Sequence, residues 1–257
     1  MNVWNAVSPL QKCDDTKPGK PGIEYADESW NPYTGCRNIE NGNCNLGADC
    51  WAYSMAQRLK GRYGYDAEDP FKPTFHPDRL ADPLKWRKPR RIAACFMGDI
   101  AYCPWEWLYR IKDTVSGLHE PYDKTIHRFY FLTKLPQGNV FKYRSWPENA
   151  WLGVSVSSHR DIWRIRQLKK TKARVKWVSF EPVEGPMGKL DLEGIDWVVI
   201  GAKTGRHKGA PRRKWVETIV ATAAWEEIPI FIKPNLPGEW VLPYSDYPKF
   251  PSPEGSP

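Results

Sequence analysis

The chain has 257 residues, of which 41% are hydrophobic and 26% are charged, and its formal net charge is +8. This composition is ordinary for a globular protein, and no apolar run approaches the roughly 20 residues that a membrane-spanning helix needs. The N-terminal residues lack the basic start and long apolar stretch of a secretory signal, so we expect a cytoplasmic protein whose six cysteines are ligands or free thiols. The positive charge favours polyanions, such as nucleic acid or a phosphorylated substrate, unless it only keeps the protein soluble, and no membrane partner is expected.

Taken in chain order, residues 1–22 carry Lys-Pro-Gly-Lys-Pro-Gly and predict an irregular arm. Residues 23–236 alternate short apolar runs with amphipathic segments and contain no linker, which predicts a single domain. The predicted strands are Gly22–Tyr25, Arg91–Met97, Arg128–Thr133, Ala150–Val156, Val175–Phe180, Trp197–Gly201 and Ile228–Ile232. The predicted helices are Cys50–Leu59, Trp105–Val115, Arg160–Lys169 and Arg213–Ala224. Residues 237–257 are rich in proline and predict an extended tail.

The predicted strands are almost continuously apolar, as in parallel strands that helices cover. Strands that alternate with helices in this number predict an α/β fold, a full or partial (β/α) barrel of the TIM-barrel-like type. An open doubly wound sheet is the alternative, but no Gly-x-Gly-x-x-Gly follows the first predicted strand.

Polar residues follow most of the predicted strands. In a parallel barrel the functional groups lie at the carboxyl ends of the strands. The residues at those ends are Gly98-Asp99, Thr133-Lys134, Ser155, Ser157, Glu181, Lys203-Thr204 and Lys233. We therefore expect them to meet at one mouth, although each one alone is also typical of a turn or of an ion pair.

Three cysteines, Cys36, Cys44 and Cys50, lie within one loop after the first predicted strand. Three thiolates are typical of an iron–sulfur cluster that keeps one iron open, whereas a structural zinc ion takes four ligands. Candidates for a fourth zinc ligand are Cys103, His76 and Asp49. Buried thiols without a metal are the third interpretation.

The motifs around these residues resemble a phage-associated family of unknown function whose members carry Trp-Asn-Pro-x-x-Gly-Cys and two further cysteines. The matching blocks are Trp30-Asn31-Pro32-Tyr33-Thr34-Gly35-Cys36, Cys50-Trp51-Ala52, Lys88-Pro89-Arg90-Arg91-Ile92, Met97-Gly98-Asp99, Leu132-Thr133-Lys134, Trp151-Leu152-Gly153-Val154-Ser155-Val156, Ser179-Phe180-Glu181-Pro182 and Asp196-Trp197-Val198-Val199-Ile200-Gly201-Ala202-Lys203-Thr204-Gly205. They occur in this order across roughly residues 23 to 236.

That family in turn resembles the radical S-adenosylmethionine (radical SAM) enzymes. The resemblance implies a partial (β/α) barrel and a 4Fe-4S cluster on Cys36, Cys44 and Cys50. It also implies that the open iron binds S-adenosylmethionine and that reductive cleavage gives a 5′-deoxyadenosyl radical, with electrons from a flavodoxin-like or ferredoxin-like protein. The cysteines are spaced more widely than in most radical SAM enzymes, and Gly35, Gly42 and Gly47 allow the turns that such a loop needs.

The resemblance assigns roles to several strand-end residues. Asp99, next to Gly98, is expected to accept a hydrogen bond from the methionine ammonium group, unless it caps the helix that follows. Glu181 ends a buried strand and is expected to pair with ribose hydroxyls or with a lysine. The predicted cofactor-binding residues are Gly98, Asp99, Thr133, Ser155, Glu181 and Lys203, and the predicted catalytic residues are Lys134 and Cys103, the latter as a hydrogen-atom donor.

Three basic stretches, 85–91, 169–174 and 206–214, suit either a solvated surface or a groove for a nucleic-acid backbone. Trp86, Trp105 and Trp107 are candidates for stacking on bases. The leading hypothesis is a radical SAM enzyme that acts on a nucleic acid or a nucleotide-derived substrate. The alternatives are a non-catalytic nucleic-acid-binding barrel with structural zinc, and a radical SAM enzyme that acts on a small metabolite or peptide.

Overall fold

Seven parallel strands form the centre of the protein, in a computed structural model that describes residues 23–117, 127–137, 145–205 and 207–237. The strands in these described residues are β1 Glu28–Trp30, β2 Tyr33–Thr34, β3 Thr74–Phe75, β4 Arg91–Ala94, β5 Arg128–Thr133, β6 Ala150–Ser155, β7 Val175–Phe180, β8 Trp197–Ile200 and β9 Ile230–Ile232. The α-helices in the same part of the chain are α1 Trp51–Leu59, α2 Trp105–Ser116, α3 Trp163–Lys169 and α4 Arg213–Trp225. The predicted arm 1–22 and the predicted tail beyond Pro237 lie outside the described residues.

The sheet follows the order β1-β4-β5-β6-β7-β8-β9, and every neighbouring pair is parallel. Because neighbours in the sheet are also neighbours in the chain, the sheet curls in one direction, as a (β/α) barrel does. Within the described residues β1 and β9 remain the two edges, so the sheet is a half-barrel. The prediction of a single α/β domain with a partial barrel is confirmed, and closure into a full barrel is not seen.

Two apolar layers cover the sheet. The convex layer contains strand residues such as Phe131 and Leu152 together with the inward faces of α2, α3 and α4. The concave layer contains no helix and is almost entirely aromatic. Its fully buried rings are Tyr25, Tyr130, Trp151, Trp177, Trp197 and Phe231. These rings fill the interior of the half-barrel, and Tyr25 among them also lines the cavity at the carboxyl ends of the strands.

Most predicted elements match the structure to within a few residues. Arg128–Thr133 and Val175–Phe180 coincide with β5 and β7. The first predicted strand, Gly22–Tyr25, is wrong, because the first strand is Glu28–Trp30. The ring of Tyr25 contacts Trp197 and Phe231 in the concave layer, so its apolar neighbourhood reflects interior packing and not strand pairing.

The antiparallel pair of β2 and β3 lies outside the main sheet and was not predicted from the sequence. Strands of two residues carry too little alternation to be recognised. None of the described helices has both the length and the apolar character needed to cross a membrane.

Candidate cofactor pocket at the carboxyl edge of the sheet

A cavity of about 210 Å³ opens at the carboxyl edge of the half-barrel, above the aromatic layer. All three loop cysteines line it. The strand-end residues that line it are Gly98, Asp99, Thr133, Lys134, Ser155, Glu181, Lys203, Thr204 and Lys233. The structure therefore brings the three cysteines and these polar strand ends together, as the sequence predicted. Ser157 was also predicted at this mouth, but it does not line the cavity. We call this cavity the cysteine pocket.

A close backbone contact fixes the start of the cysteine loop. The amide of Gly35 donates to Met97, at 3.0 Å, and the carbonyl of Gly35 accepts from the amide of Asp99, at 3.1 Å. A Cβ atom on Gly98 would lie 2.2 Å from the carbonyl oxygen of Gly35, and one on Gly35 would lie 2.1 Å from that of Lys72. Only glycine allows this approach, which continues the pairing of β1 with β4 up to the residue before Cys36.

Two of the three loop cysteines have an N–H donor at the sulfur. The amide of Asn38 donates to Cys36 Sγ at 3.2 Å, and Lys134 Nζ donates to Cys44 Sγ at 3.3 Å. Cys50 is the N-cap residue of α1, and within the described residues its thiol makes no capping hydrogen bond to that helix. Donors of this kind stabilise a thiolate and are typical of cysteines that bind a metal.

The three thiols also influence one another. Burial, together with smaller contributions from the carboxylate of Asp99 and the other two thiols, raises the pKa of Cys36 to about 12. Burial likewise raises the pKa of Cys50, with a contribution from Cys44. A site that holds buried thiols together in this way favours a cation, because bound metal ions deprotonate their thiol ligands.

Among the described residues, no group of three or more cysteine, histidine or acidic side chains is arranged to hold a single metal ion. A single zinc ion would require four ligands to converge on one point at about 2.3 Å for sulfur. A cluster makes a different demand, because each thiolate binds a separate iron. Three thiols that share one pocket, two of them with an N–H donor, fit that donor set.

Asp99 is buried and organises the pocket. Its carboxylate accepts hydrogen bonds from the amide of Ala101, the hydroxyl of Thr133, the side-chain amide of Asn38 and the backbone amide of Lys134. A carboxylate accepts about four hydrogen bonds, so these contacts use its capacity. The contact with Ala101 caps a short 3-10 helix, Ile100–Tyr102, which favours the capping interpretation over the ligand interpretation of Asp99.

Glu181 lies in a buried ion-pair group. Its carboxylate is 2.8 Å from Lys233 Nζ, which is also 2.9 Å from the carboxylate of Glu24. Although burial lowers the pKa of Lys233, these two carboxylates outweigh it and raise the pKa overall. Ser179 donates to Glu181 at 3.0 Å, and Ser155 donates to the carbonyl oxygen of Glu181 at 3.2 Å. Pairing with a lysine, one of the two expectations for Glu181, is what the structure shows.

Lys203 joins the cysteine loop to the loop after β8. Its ammonium lies 3.1 Å from Glu184 and 3.3 Å from Asp49. Asp49 also accepts a hydrogen bond from His207 Nδ1, at 2.9 Å. The residue just before Cys50 is thus anchored by a lysine and a histidine from a different part of the chain, and Asp49 is engaged in a structural contact.

Two candidate residues lie elsewhere. Cys103 is 0% exposed and packs in the convex layer, and it does not line the cysteine pocket. Its predicted role as a hydrogen-atom donor is therefore not supported by its position. His76 is also outside the pocket, where its Nε2 shares a hydrogen bond of 2.8 Å with the hydroxyl of Thr34. Neither residue is placed to complete a zinc site with the loop cysteines.

Sequence reasoning missed two residues that shape the pocket. Asn38 bonds Asp99 with its side chain and Cys36 with its backbone amide. Arg164 on α3 donates to the carbonyl oxygens of Ser155 and Asn43, both at 2.8 Å, and so ties the cysteine loop to the end of β6. The sequence offered a signal for Asn38, because this residue lies two positions after Cys36. It offered no signal for Arg164, which is one arginine within an amphipathic helix.

The tryptophans proposed for base stacking differ in exposure. Trp86 and Trp107 pack against the convex core, and only Trp105 of the three is strongly exposed. Trp51, which was not singled out from the sequence, is 48% exposed and lines the cysteine pocket. An exposed indole at the pocket entrance is better placed to stack on a planar ligand than the three original candidates.

A family profile described as "Protein of unknown function (DUF5131)" matches residues 20–245. The chain therefore belongs to this family, in agreement with the expected membership of a family of unknown function. No curated protein and no solved structure gives a significant match. The likeness to radical SAM enzymes stays a prediction.

Proposed function

We propose that this protein is a radical SAM enzyme that acts on a nucleic acid or a nucleotide-derived substrate. One observation carries the proposal. Cys36, Cys44 and Cys50 line a single pocket at the carboxyl edge of a parallel half-barrel, together with the polar ends of its strands. Cofactors of (β/α) barrels bind at this edge.

Cys36, Cys44 and Cys50 would hold the 4Fe-4S cluster as thiolates. When bound, the cluster supplies the electron that cleaves S-adenosylmethionine and generates a carbon radical. The protein's own contribution is to hold the three sulfurs in one pocket and to direct an N–H donor at those of Cys36 and Cys44. Such hydrogen bonds, with burial, tune the reduction potential of a cluster.

The strand ends supply charges that match those of S-adenosylmethionine, which offers an ammonium, a carboxylate and ribose hydroxyls. Glu181, which follows β7, and Lys203, which follows β8, line the pocket with opposite charges, and the hydroxyl of Ser155 lies at the end of the neighbouring strand β6. Asp99 and Thr133 act on the protein side, because Asp99 accepts hydrogen bonds from both Thr133 and Asn38 and so links the cysteine loop to the end of β5. Gly98 allows the backbone contact on which that loop rests.

The floor of the pocket limits access of water. Tyr25, Phe96 and Leu132 line it and belong to, or pack against, the aromatic layer that fills the half-barrel. A closed apolar floor keeps a reactive carbon radical away from solvent and from unwanted hydrogen donors. The external electron donor, flavodoxin-like or ferredoxin-like, and the cytoplasmic location belong to the same proposal.

The substrate class rests on charge. The net charge of +8 and the exposed Trp51 at the pocket entrance suit a ligand that carries phosphates and a base. Binding of nucleic acid would weaken steeply with salt, because phosphate contacts release counterions. A small metabolite or peptide would show no such dependence.

Metal and sulfide analysis of protein purified without oxygen tests the proposal. We expect about four irons and four sulfides per chain, with an absorption spectrum that changes when S-adenosylmethionine is added. Substituting alanine for Cys36, Cys44 or Cys50 should each abolish the cluster. Cys95→Ala is the matched control, because this thiol is buried outside the pocket and its loss should leave the iron content unchanged. One zinc per chain without sulfide would refute the enzyme and leave a zinc-containing binding protein.

A further inference from the structure

A second cavity, of about 300 Å³, lies directly beside the cysteine pocket. The two cavities share Cys44, Leu46 and Lys134 as a common wall. The second cavity has a different character, because its lining is polar. Its hydrogen-bonding side chains include Asn43, Asn45, Ser157, Ser158 and His159.

Cations outnumber carboxylates on this lining. Lys134, Arg160 and Arg164 face two acids. Of these acids, Glu184 is already paired with Lys203, which comes from outside this lining. The other acid, Asp161, is paired with Arg164.

Two of the cations thus lack an acidic partner. Within the described part of the chain, Lys134 has only the thiol of Cys44 at its ammonium, and the guanidinium of Arg160 makes no ion pair. Two positive charges without counter-charges at one cavity suit a phosphate dianion.

Arg164 adds a buried positive charge to the wall of the cavity. It is 5% exposed, and its terminal nitrogens are bonded to the carbonyl oxygens of Ser155 and Asn43 and to the carboxylate of Asp161. Its bonds hold the cysteine loop and the end of β6 around this cavity. Burial is also the main reason that the pKa of Arg164 is lowered.

We propose that this second cavity binds a phosphate group of the substrate, a nucleotide or a nucleotide unit of a nucleic-acid strand. The inference deepens the proposed function and rests on it for the reaction, while the binding itself depends only on the residues of this cavity. The shared wall places a ligand held by Arg160 and Lys134 next to the pocket where the cysteines lie. Phosphate binding would then position the rest of the substrate toward that pocket.

The test is fluorescence anisotropy of the full-length protein with a labelled ten-nucleotide single strand, at low and at moderate salt. Arg160→Gln should weaken binding about tenfold, the loss expected for one charge-assisted contact, and Arg160→Glu should weaken it more. Arg166→Gln is the matched control, because Arg166 is exposed on α3 and does not line the cavity. Equal affinities for the Arg160 and Arg166 variants would overturn the proposal.

Competition identifies the source of the phosphate. If a 5′-mononucleotide or inorganic phosphate displaces the strand from the wild type but not from Arg160→Gln, the cavity is a single phosphate site. If only longer strands displace it, the substrate is a strand. Iron content is measured on every sample. An Arg160-dependent site in protein that binds no iron would support this cavity and refute the enzyme. Iron with a response to S-adenosylmethionine but no Arg160-dependent binding would refute the cavity alone.

Discussion

Replacing Asp99 with asparagine tests whether one buried carboxylate holds the cysteine pocket together. The side chain is 4% exposed and accepts hydrogen bonds on both oxygens. Asparagine has almost the same shape but only one acceptor oxygen. In one orientation its NH₂ group faces the amide of Lys134, and in the other it faces the amide of Ala101. Either orientation therefore leaves one buried backbone N–H without an acceptor.

The loss of stability in Asp99→Asn follows from this one unpaired backbone N–H. A buried donor without a partner costs about 1 to 3 kcal/mol, and the remaining hydrogen bonds lose the strength that the negative charge gave them. We expect Asp99→Asn to lower the free energy of unfolding by about 2 kcal/mol. We also expect lower iron loading, because Asn38, which bonds Cys36, is held by the same carboxylate.

The assay is urea unfolding of the metal-free protein, followed by tryptophan fluorescence, with iron content measured in parallel. Asp82→Asn is the matched control, since its carboxylate forms an exposed ion pair with Lys85 and its loss should cost less than about 1 kcal/mol. If Asp99→Asn unfolds at the same urea concentration as Asp82→Asn, the network around Asp99 does not stabilise the pocket as argued. If only its stability falls and iron loading stays complete, the link from Asp99 to the cysteine loop is wrong.

Three further predictions concern other parts of the molecule. Glu181→Gln should weaken S-adenosylmethionine binding about tenfold in a spectral titration and leave iron content unchanged; equal affinity would give Glu181 a purely structural role. Gly98→Ala should reduce iron loading and cost about 1 to 3 kcal/mol in urea unfolding, because the new Cβ would meet backbone at 2.2 Å, whereas Gly209→Ala meets nothing and should do neither. Burial lowers the pKa of His76 to about 4, so the folded protein keeps this ring neutral while the unfolded chain takes up a proton below about pH 6.5. Stability should therefore fall as the pH drops from 6.5 to 4, and the urea midpoints of His76→Gln should show less of this fall than those of the wild type.

The sequence predicted the architecture because the sheet is buried on both faces. Strands such as β6 are completely buried and read as continuous apolar runs, which are recognisable without knowledge of their neighbours. Since parallel strands share one carboxyl edge, the same reading predicted that Asp99, Glu181 and Lys233 would meet. The prediction of a strand at Tyr25 was wrong, because the sequence pattern around an aromatic residue that fills the half-barrel resembles the pattern around an aromatic residue in a strand.

The sequence did not predict which residues each polar side chain contacts. Asp49 bonds His207, which is 158 residues away, and Arg164 bonds the carbonyl of Asn43, which is 121 residues away. Such pairs depend on how loops from different strands cross the mouth, and no local pattern encodes that. Cys103 was misjudged for the same reason: its closeness to Asp99 in sequence conceals that it packs in the convex layer, outside the pocket.

The two cavities depend on each other through the cysteine loop. Cys44 and Lys134 line both, and Arg164 holds the loop at Asn43 while it lines the second cavity. A thiolate at Cys44 that binds iron would leave the Lys134 ammonium beside a negatively charged sulfur, and a phosphate in the second cavity would approach the same ammonium from the other side. Lys134 would then attract both the metal centre and the substrate. Its place in the wall that the two cavities share is the physical reason to expect that this one ammonium contributes to the binding of both.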